Sequence, residues 1–223
     1  MFRHRRKFGT LAPRPVYVPP VLPAATTWSA TDKHSAIYFE PGTGNLQFGG
    51  YGAESASVRS AAAVGATQKV YLEMSVVALD FRIFIGFANS SSPLTGTPGD
   101  DSYYSNGWSF DQYGQTHMAA GNGAYITDGY FGVGNTVDLA MDFGSMKLWA
   151  RTNNGAWNSY LTGGGSTPQN PATGEGGWAV NLVYPGPYYA IGTCWNAVGR
   201  MRFAQSDWQH TDLVPFGFTQ IAA

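Results

Sequence analysis

The sequence predicts an all-β fold: one antiparallel β-sandwich behind an extended N-terminal arm. Only 12% of the 223 residues are charged, 15% are aromatic, and 29 are glycine. Such a composition favours many short strands joined by tight turns. Apolar and polar residues alternate in several segments separated by turn signals, whereas no window of a dozen residues keeps a convincing 3.6-residue period.

The strand signals lie between residue 27 and the end of the chain. The clearest are residues 69–76 and a hairpin whose arms, 137–142 and 146–151, turn at Phe143-Gly-Ser145. Further strands are predicted at 36–39, 45–48, 82–88, 107–110, 188–192 and 200–204. Trp108 and Trp149 fall within strands and are expected in the core. Residues 27–223 therefore form one predicted domain, large enough to need no metal or disulfide.

Residues 1–26 form the predicted arm. Pro13, Pro15, Pro19, Pro20 and Pro23 exclude a helix and favour polyproline II. The first 14 residues carry five cations and no acid, whereas the other 8 cations face 14 acids, so the body has a net charge of −6. Apolar residues between the prolines indicate an arm that docks on a partner. The predicted docking residues are Arg3, Arg5, Arg6, Lys7, Phe8, Leu11, Tyr17, Val18 and Leu22.

Cys194 is the only cysteine, so neither an intrachain disulfide nor a cysteine-based zinc site can form. Its apolar neighbours predict a small buried hydrophobic residue. No apolar run is long enough to span a membrane. Prolines replace the apolar segment that a secretory signal requires, so signal-directed secretion is not expected.

A family resemblance follows from the order of these segments. Residues 69–76, 84–88, 107–110, 137–155, 203–205 and 215–218 resemble, in order, the strands of a SPRY domain. This concanavalin A-like sandwich is called B30.2 when extended. The resemblance implies a protein- or peptide-binding module, and similar modules occur in bacteriophage structural proteins. The run before the hairpin, residues 131–136, lacks the family's acid, and residues 156–187 are longer than usual. The ligand is therefore not inferred from the fold.

No motif for catalysis is recognisable. The E-x-D-x-x-E string of a retaining sandwich glycosidase is absent from the sequence. Asp138 and Asp142 share one face of a strand and are expected to face solvent. Asp100 and Asp101 are expected to be solvated rather than to bind calcium. We therefore expect no enzyme activity, no cofactor and no metal.

Aromatic residues in the long loops are the better candidates for a binding site. Tyrosine and tryptophan in loops provide contact area at low entropic cost and stack on sugars or peptides. The alternative is that they hold the loops against the sandwich. The candidate ligand-binding residues are Tyr103, Tyr104, Tyr125, Tyr130, Trp157 and Trp178.

The leading hypothesis is a non-enzymatic structural protein of a bacteriophage or other virion, made in the host cytoplasm. It would act as a head decoration, a fibre or a tail-associated adhesion module, oligomeric in the assembly. Its arm would contact other structural proteins, and its loops would contact a host-surface protein or glycan. Five cations are few for a nucleic-acid-binding surface, so nucleic acid is not an expected partner. The alternatives are a cellular SPRY-type peptide-binding adaptor and, less favoured, a carbohydrate-active enzyme.

Overall fold

A computed structural model describes residues 23–52, 55–96, 107–118, 121–125, 130–159, 168–180 and 186–223. Strands dominate the described part, which contains no α-helix. It has two 3-10 turns, Gln205–Asp207 and Thr211–Leu213. No helix long and apolar enough to cross a membrane occurs in these ranges. The all-β prediction is confirmed.

Twelve strands occur in the described part. They are β1 (Trp28–Lys33), β2 (Ile37–Phe39), β3 (Gln47–Gly50), β4 (Ala56–Ser60), β5 (Lys69–Asn89), β6 (Gly107–Asp111), β7 (Gln115–Met118), β8 (Gly121–Tyr125), β9 (Thr136–Asp142), β10 (Lys147–Thr152), β11 (Trp178–Ala179) and β12 (Tyr188–Arg202). The predicted hairpin 137–151 is β9 paired with β10, in register from Lys147↔Asp142 to Thr152↔Val137.

Two long strands, β5 and β12, run through both layers of the sandwich. All twelve strands therefore belong to one hydrogen-bonded sheet. They pair with each other from Tyr188↔Asn89 to Arg202↔Glu73, with register shifts near their centres. The first layer has the order β1-β4-β12-β5-β6-β7-β8. In the second layer β12 pairs with β3, β3 with β2, β5 with β9, β9 with β10, and β10 with β11. Each long strand therefore belongs to one layer in its first half and to the other in its second half.

The layers enclose the main hydrophobic core. Phe48 lies against both halves of β12, because a Cβ at Gly192 would be 2.6 Å from its ring and one at Gly199 would be 3.0 Å away. Glycine at these two positions makes room for the ring. Trp28 joins the layers, with its ring centroid 5.1 Å from Phe48 and 4.9 Å from Phe203. The fold is thus a sandwich closed around aromatic side chains.

Three side chains predicted to be internal are buried. Trp108 and Trp149 are buried, and so is the free thiol of Cys194. Burial raises the pKa of Cys194 to about 12. These predictions are confirmed.

The C-terminal segment covers the outer face of the second layer. The Trp208 ring packs 4.8 Å from Tyr71, and Phe218 packs 6.4 Å from Trp149, which gives a second, smaller hydrophobic cluster. Thr219 then bridges to Val70. As a result, this face of β5, β9 and β10 is not exposed to solvent.

The prediction for the two aspartates of β9 was wrong. Asp138 and Asp142 do share a face, but both are buried because the C-terminal segment covers that face. Alternation correctly placed the two side chains together. It contains no signal for a segment that arrives from some 70 residues later in the chain to cover them.

Candidate functional site

One end of the sandwich exposes aromatic side chains where the two long strands cross between layers. Near this point, residues 77–81 of β5 lose the burial of the flanking residues, and Phe81 is 46% exposed. Opposite it, Asn196 of β12 takes a positive φ of 48° at the register shift between Trp195 and Ala197. A bulge of this kind bends a strand and redirects its side chains.

The bend brings two rings together on the surface. The Trp195 and Phe81 ring centroids are 4.1 Å apart. Arg82, which pairs with Trp195 across the strands, places its guanidinium 5.8 Å from the Phe81 ring. Trp195 itself is half-buried. This pair forms the centre of an exposed apolar surface.

Two tyrosines extend the surface on one side. The side chain of Gln112 donates to the Phe81 carbonyl (2.9 Å) and accepts from the Ile83 amide (3.2 Å), so the turn after β6 is fixed against β5. Tyr113 follows Gln112, and its ring lies 5.8 Å from that of Tyr130. Exposed valines lie beside this region, at Val77 and Val133.

Another tyrosine extends it on the other side. The Gly52 amide donates to the side chain of Asn196 at 3.2 Å, which places Tyr51 next to the β12 bulge. The Tyr51 ring stacks on Tyr38 at 5.1 Å, and the two hydroxyls are 3.1 Å apart. We call the surface made by Tyr51, Phe81, Tyr113, Tyr130 and Trp195 the aromatic crease.

The aromatic crease has the properties of a binding surface. Its four most exposed rings, those of Tyr51, Phe81, Tyr113 and Tyr130, are 46–66% exposed. Contiguous exposed apolar groups of this kind mark interaction sites on soluble proteins. Tyrosine also offers a hydroxyl at its edge, so the surface can take an apolar group and a hydrogen bond together. Asp80 and Arg82 provide one charge of each sign.

The predicted ligand-binding residues fall in different places. Tyr130 lies in the aromatic crease. Trp157 is half-buried with its ring 4.3 Å from the Arg151 guanidinium. Trp178 belongs to β11, not to a loop, and packs against the main core. Tyr125 is in β8, where only the backbone is described. Tyr103, Tyr104 and every predicted docking residue of the arm lie outside the described residues.

Sequence reasoning missed Phe81, Trp195 and Tyr51. Phe81 and Trp195 lie between pairs of segments that were each predicted as separate strands. The available signal was the break in alternation at Val77-Ala-Leu-Asp-Phe-Arg82, between two strongly apolar runs. Such a break on one continuous strand indicates a bend that exposes both faces.

A second cluster of polar residues lies under the C-terminal segment. Glu73 and Asp138 pair across β5 and β9 and are both fully buried. Asp138 accepts from Nε of Arg151 at 2.7 Å, and its Oδ2 lies 3.0 Å from Nδ1 of His210. Glu73 accepts from the amides of Gln209 (2.7 Å) and His210 (2.9 Å) and from the Tyr71 hydroxyl (3.1 Å).

These acids can be tested as metal ligands and as catalytic groups. One ligand atom each from Glu73, Asp138 and His210 lies within 4.8 Å of the others. However, the Arg151 cation bonds Asp138, and backbone amides bond both oxygens of Glu73. Nearby negative charge and burial raise the pKa of Tyr71, with burial the larger cause. The cluster is satisfied internally and fastens residues 209–210 to the sheet.

Comparison with solved structures identifies the architecture. The SPRY domain of human HERC1 matches with a TM-score of 0.57 at 9% identity, over 78% of this chain and 96% of that chain. The fold is a SPRY-like β-sandwich. At this identity the likeness establishes the fold alone. No protein-family model matches the sequence, and no curated protein matches it.

Proposed function

We propose that this chain is a non-enzymatic binding module whose aromatic crease takes an extended polypeptide segment, and that it serves as a structural component of a virion. The exposed rings of the crease carry the binding proposal. They form a surface on the end of a sandwich whose other apolar residues are largely enclosed. Aromatic residues dominate the energetics of protein interfaces because each buries a large area with few rotatable bonds.

The composition of the crease favours a polypeptide over a glycan. The aliphatic side chains of Val77 and Val133 are exposed beside it, and its charged groups are one acid and one arginine. An extended peptide matches such a surface, because its apolar side chains stack on the rings while its carbonyls accept from hydroxyls. A sugar needs a denser set of polar groups to fix its hydroxyls.

Commitment of the buried acids to structural contacts supports a non-enzymatic role. A glycosidase needs two carboxyl groups on either side of the scissile bond. Glu73 and Asp138 are enclosed with Arg151. Asp111, below the crease, accepts from the amides of Tyr113 and Gln115 at 2.9 Å each. Asp80 at the crease is a single exposed acid.

The virion role rests on the sequence of the arm. A basic, proline-rich segment with interleaved apolar residues is suited to dock a module on a larger assembly, whereas a free adaptor domain has no evident use for it. In this proposal the arm contacts a structural protein of the particle, and the crease is available for a second contact. A cellular peptide-binding adaptor is the alternative, and it would use the same crease without the arm.

Peptide display tests the binding proposal. The full-length chain is immobilised and panned against a random peptide library, together with Phe81→Ser and Tyr113→Ser variants. Phe216→Ser is the matched control, because Phe216 is 89% exposed but precedes Thr219, which bridges to Val70 at the other end of the sandwich. We expect a common apolar motif that the wild type and the control retain and both crease variants lose. The proposal is overturned if no peptide is enriched, or if the crease variants enrich the same peptides as the wild type. It is also overturned if the chain binds selected glycans on an array and the crease variants lose that binding.

A further inference from the structure

The N-terminal arm has the chemistry that an aromatic surface recognises. Pro13 and Pro15 precede the apolar run Val16-Tyr-Val18, and Pro19 and Pro20 follow it. Such a sequence favours the polyproline II helix, which exposes its side chains and loses little entropy on binding. Aromatic-lined surfaces are the common receptors for these segments, because prolines pack flat against the rings.

The arm begins at the end of the sandwich opposite the aromatic crease. The Pro23 carbonyl accepts from the Gln220 side chain at 2.6 Å, and the Gln220 carbonyl accepts from Gln68 at 2.9 Å. Pro23 therefore lies beside the start of β5 at Lys69, whereas the crease lies at the middle of β5. Phe81 is twelve residues after Lys69, or about 40 Å along the strand.

The reach of the arm decides which crease it can occupy. Residues 13–22 lie one to ten positions before Pro23, so even the far end of this segment extends at most about 31 Å from Pro23 at 3.1 Å per residue. It falls short of the crease of its own molecule, which it would also have to approach along a curved surface. A neighbouring molecule can place its crease directly beside Pro23.

From this placement we infer that the aromatic crease of one molecule binds residues 13–22 of the arm of a second copy of this chain. This inference rests on the binding role proposed above for the crease and names the partner that it binds. Each molecule then has one arm and one crease at opposite ends. Such a contact joins two different surfaces, so it produces a closed ring, of which a reciprocal dimer is the smallest, or an open head-to-tail chain.

Charge supports association of two copies. The first 14 residues carry five cations, and the remainder of the chain has a net charge of −6. Opposite charges on the arm and the body increase the rate of encounter and are screened by salt. The apolar contacts of the crease should persist at high salt, so association should weaken with ionic strength without being abolished.

Mixing two defective chains tests the inference. One variant has a damaged crease, Phe81→Ser with Tyr113→Ser, and the other has a damaged arm, Tyr17→Ser with Pro19→Ser and Pro20→Ser. Sedimentation velocity of the wild type should show association into dimers or larger species that increases with concentration, and Phe216→Ser should behave the same. Each defective variant alone should be monomeric. Their equimolar mixture should give a 1:1 dimer and nothing larger, since one intact junction remains.

A disulfide cross-link tests the same contact without the serine substitutions in the crease and the arm. Val18→Cys and Tyr113→Cys are placed on separate chains, and Cys194 is buried and so leaves the background low. Oxidation of the mixture should yield a disulfide-linked dimer, and Phe216→Cys in place of Tyr113→Cys should yield several-fold less. A wild type that is monomeric at every concentration, or a cross-link equal to the control, overturns the inference. If the crease still selects peptides from the library, the binding proposal stands and the crease has another partner. If it selects none, the binding proposal and the arm–crease inference are both wrong.

Discussion

At the scale of single residues, the buried charges of the second layer dominate the energetics. Asp138 is fully buried against Arg151, which is itself 4% exposed. Removing charges from water costs several kcal/mol per ion, and the pair recovers this only because hydrogen bonds to Arg151 and His210 satisfy the carboxylate. Removal of either member of the pair therefore leaves the other as an unpaired buried charge.

Substitution of Asp138 tests this dependence. Asp138→Ala leaves the Arg151 cation buried without its carboxylate, so we expect the free energy of unfolding to fall by about 3–5 kcal/mol. Urea denaturation measures the change. Asp80→Ala, at an exposed position, should change it by less than about 0.5 kcal/mol. The double variant Asp138→Leu/Arg151→Met should recover much of the loss, and a double variant as unstable as the single one would contradict this account.

Residue chemistry could be predicted from the sequence where it depended on immediate neighbours. Cys194 was predicted as a buried hydrophobic residue, and it is one. The pairing of Asp138 with Glu73 and Arg151 depends on the register of three strands, which no local pattern specifies. The crease was only partly anticipated, through Tyr130, because Phe81 and Trp195 meet across more than 100 residues of sequence.

At the scale of elements, the two bent strands determine the architecture. Residues 69–76 and 82–88 were predicted as two strands, as were 188–192 and 200–204, yet each pair is a single strand. The alternation of apolar and polar residues is lost at the bend because both faces of the strand are exposed there. In the sequence this loss looks the same as a loop. Strands β1, β4, β7, β8 and β11 were missed, because they are short or contain Ser, Thr, Gly and Gln in place of clear apolar positions.

The close approach of β5 and β6 gives a prediction at this scale. A Cβ on Gly86 would overlap the Trp108 carbonyl of the paired strand. Gly86→Ala should therefore push the strands apart and cost at least about 1–3 kcal/mol. Gly65→Ala is the matched control, because its Cβ would meet its nearest neighbours at 3.6 Å. Thermal unfolding of both variants provides the measurement, and equal melting temperatures would contradict the packing described.

At the scale of the whole molecule, the first described residues are joined to the last. Ala25 bridges to Ala222, and the Ala223 amide donates to the Ala24 carbonyl at 2.8 Å. The Thr26 hydroxyl, which is buried, accepts from the Ala62 amide at 2.9 Å. Residues 23–26 of the predicted arm are thus bonded to the body, which leaves residues 1–22 as the docking segment of the proposal.

Two truncations test this boundary. Deletion of residues 1–22 should leave a soluble, folded chain with a free energy of unfolding within about 0.5 kcal/mol of the wild type. Deletion of residues 1–26 removes the Thr26 hydroxyl and the Ala25 bridge, so the Ala62 amide loses its partner and stability falls by about 1–3 kcal/mol. Chemical denaturation with circular dichroism detection distinguishes them. Equal stability of the two truncations would place the boundary back at residue 26.

The joined ends and the bent strands also determine how the molecule carries mechanical load. Hydrogen bonds between antiparallel strands are perpendicular to the strands. A pull that enters at Pro23 and leaves at the crease acts along the first half of β5 and the paired second half of β12, so it loads the bonds between these halves in shear. A pull that separates the two termini instead peels the bridge at Ala25 and Ala222 first. The sandwich is therefore strong along its long axis and weak where its ends meet.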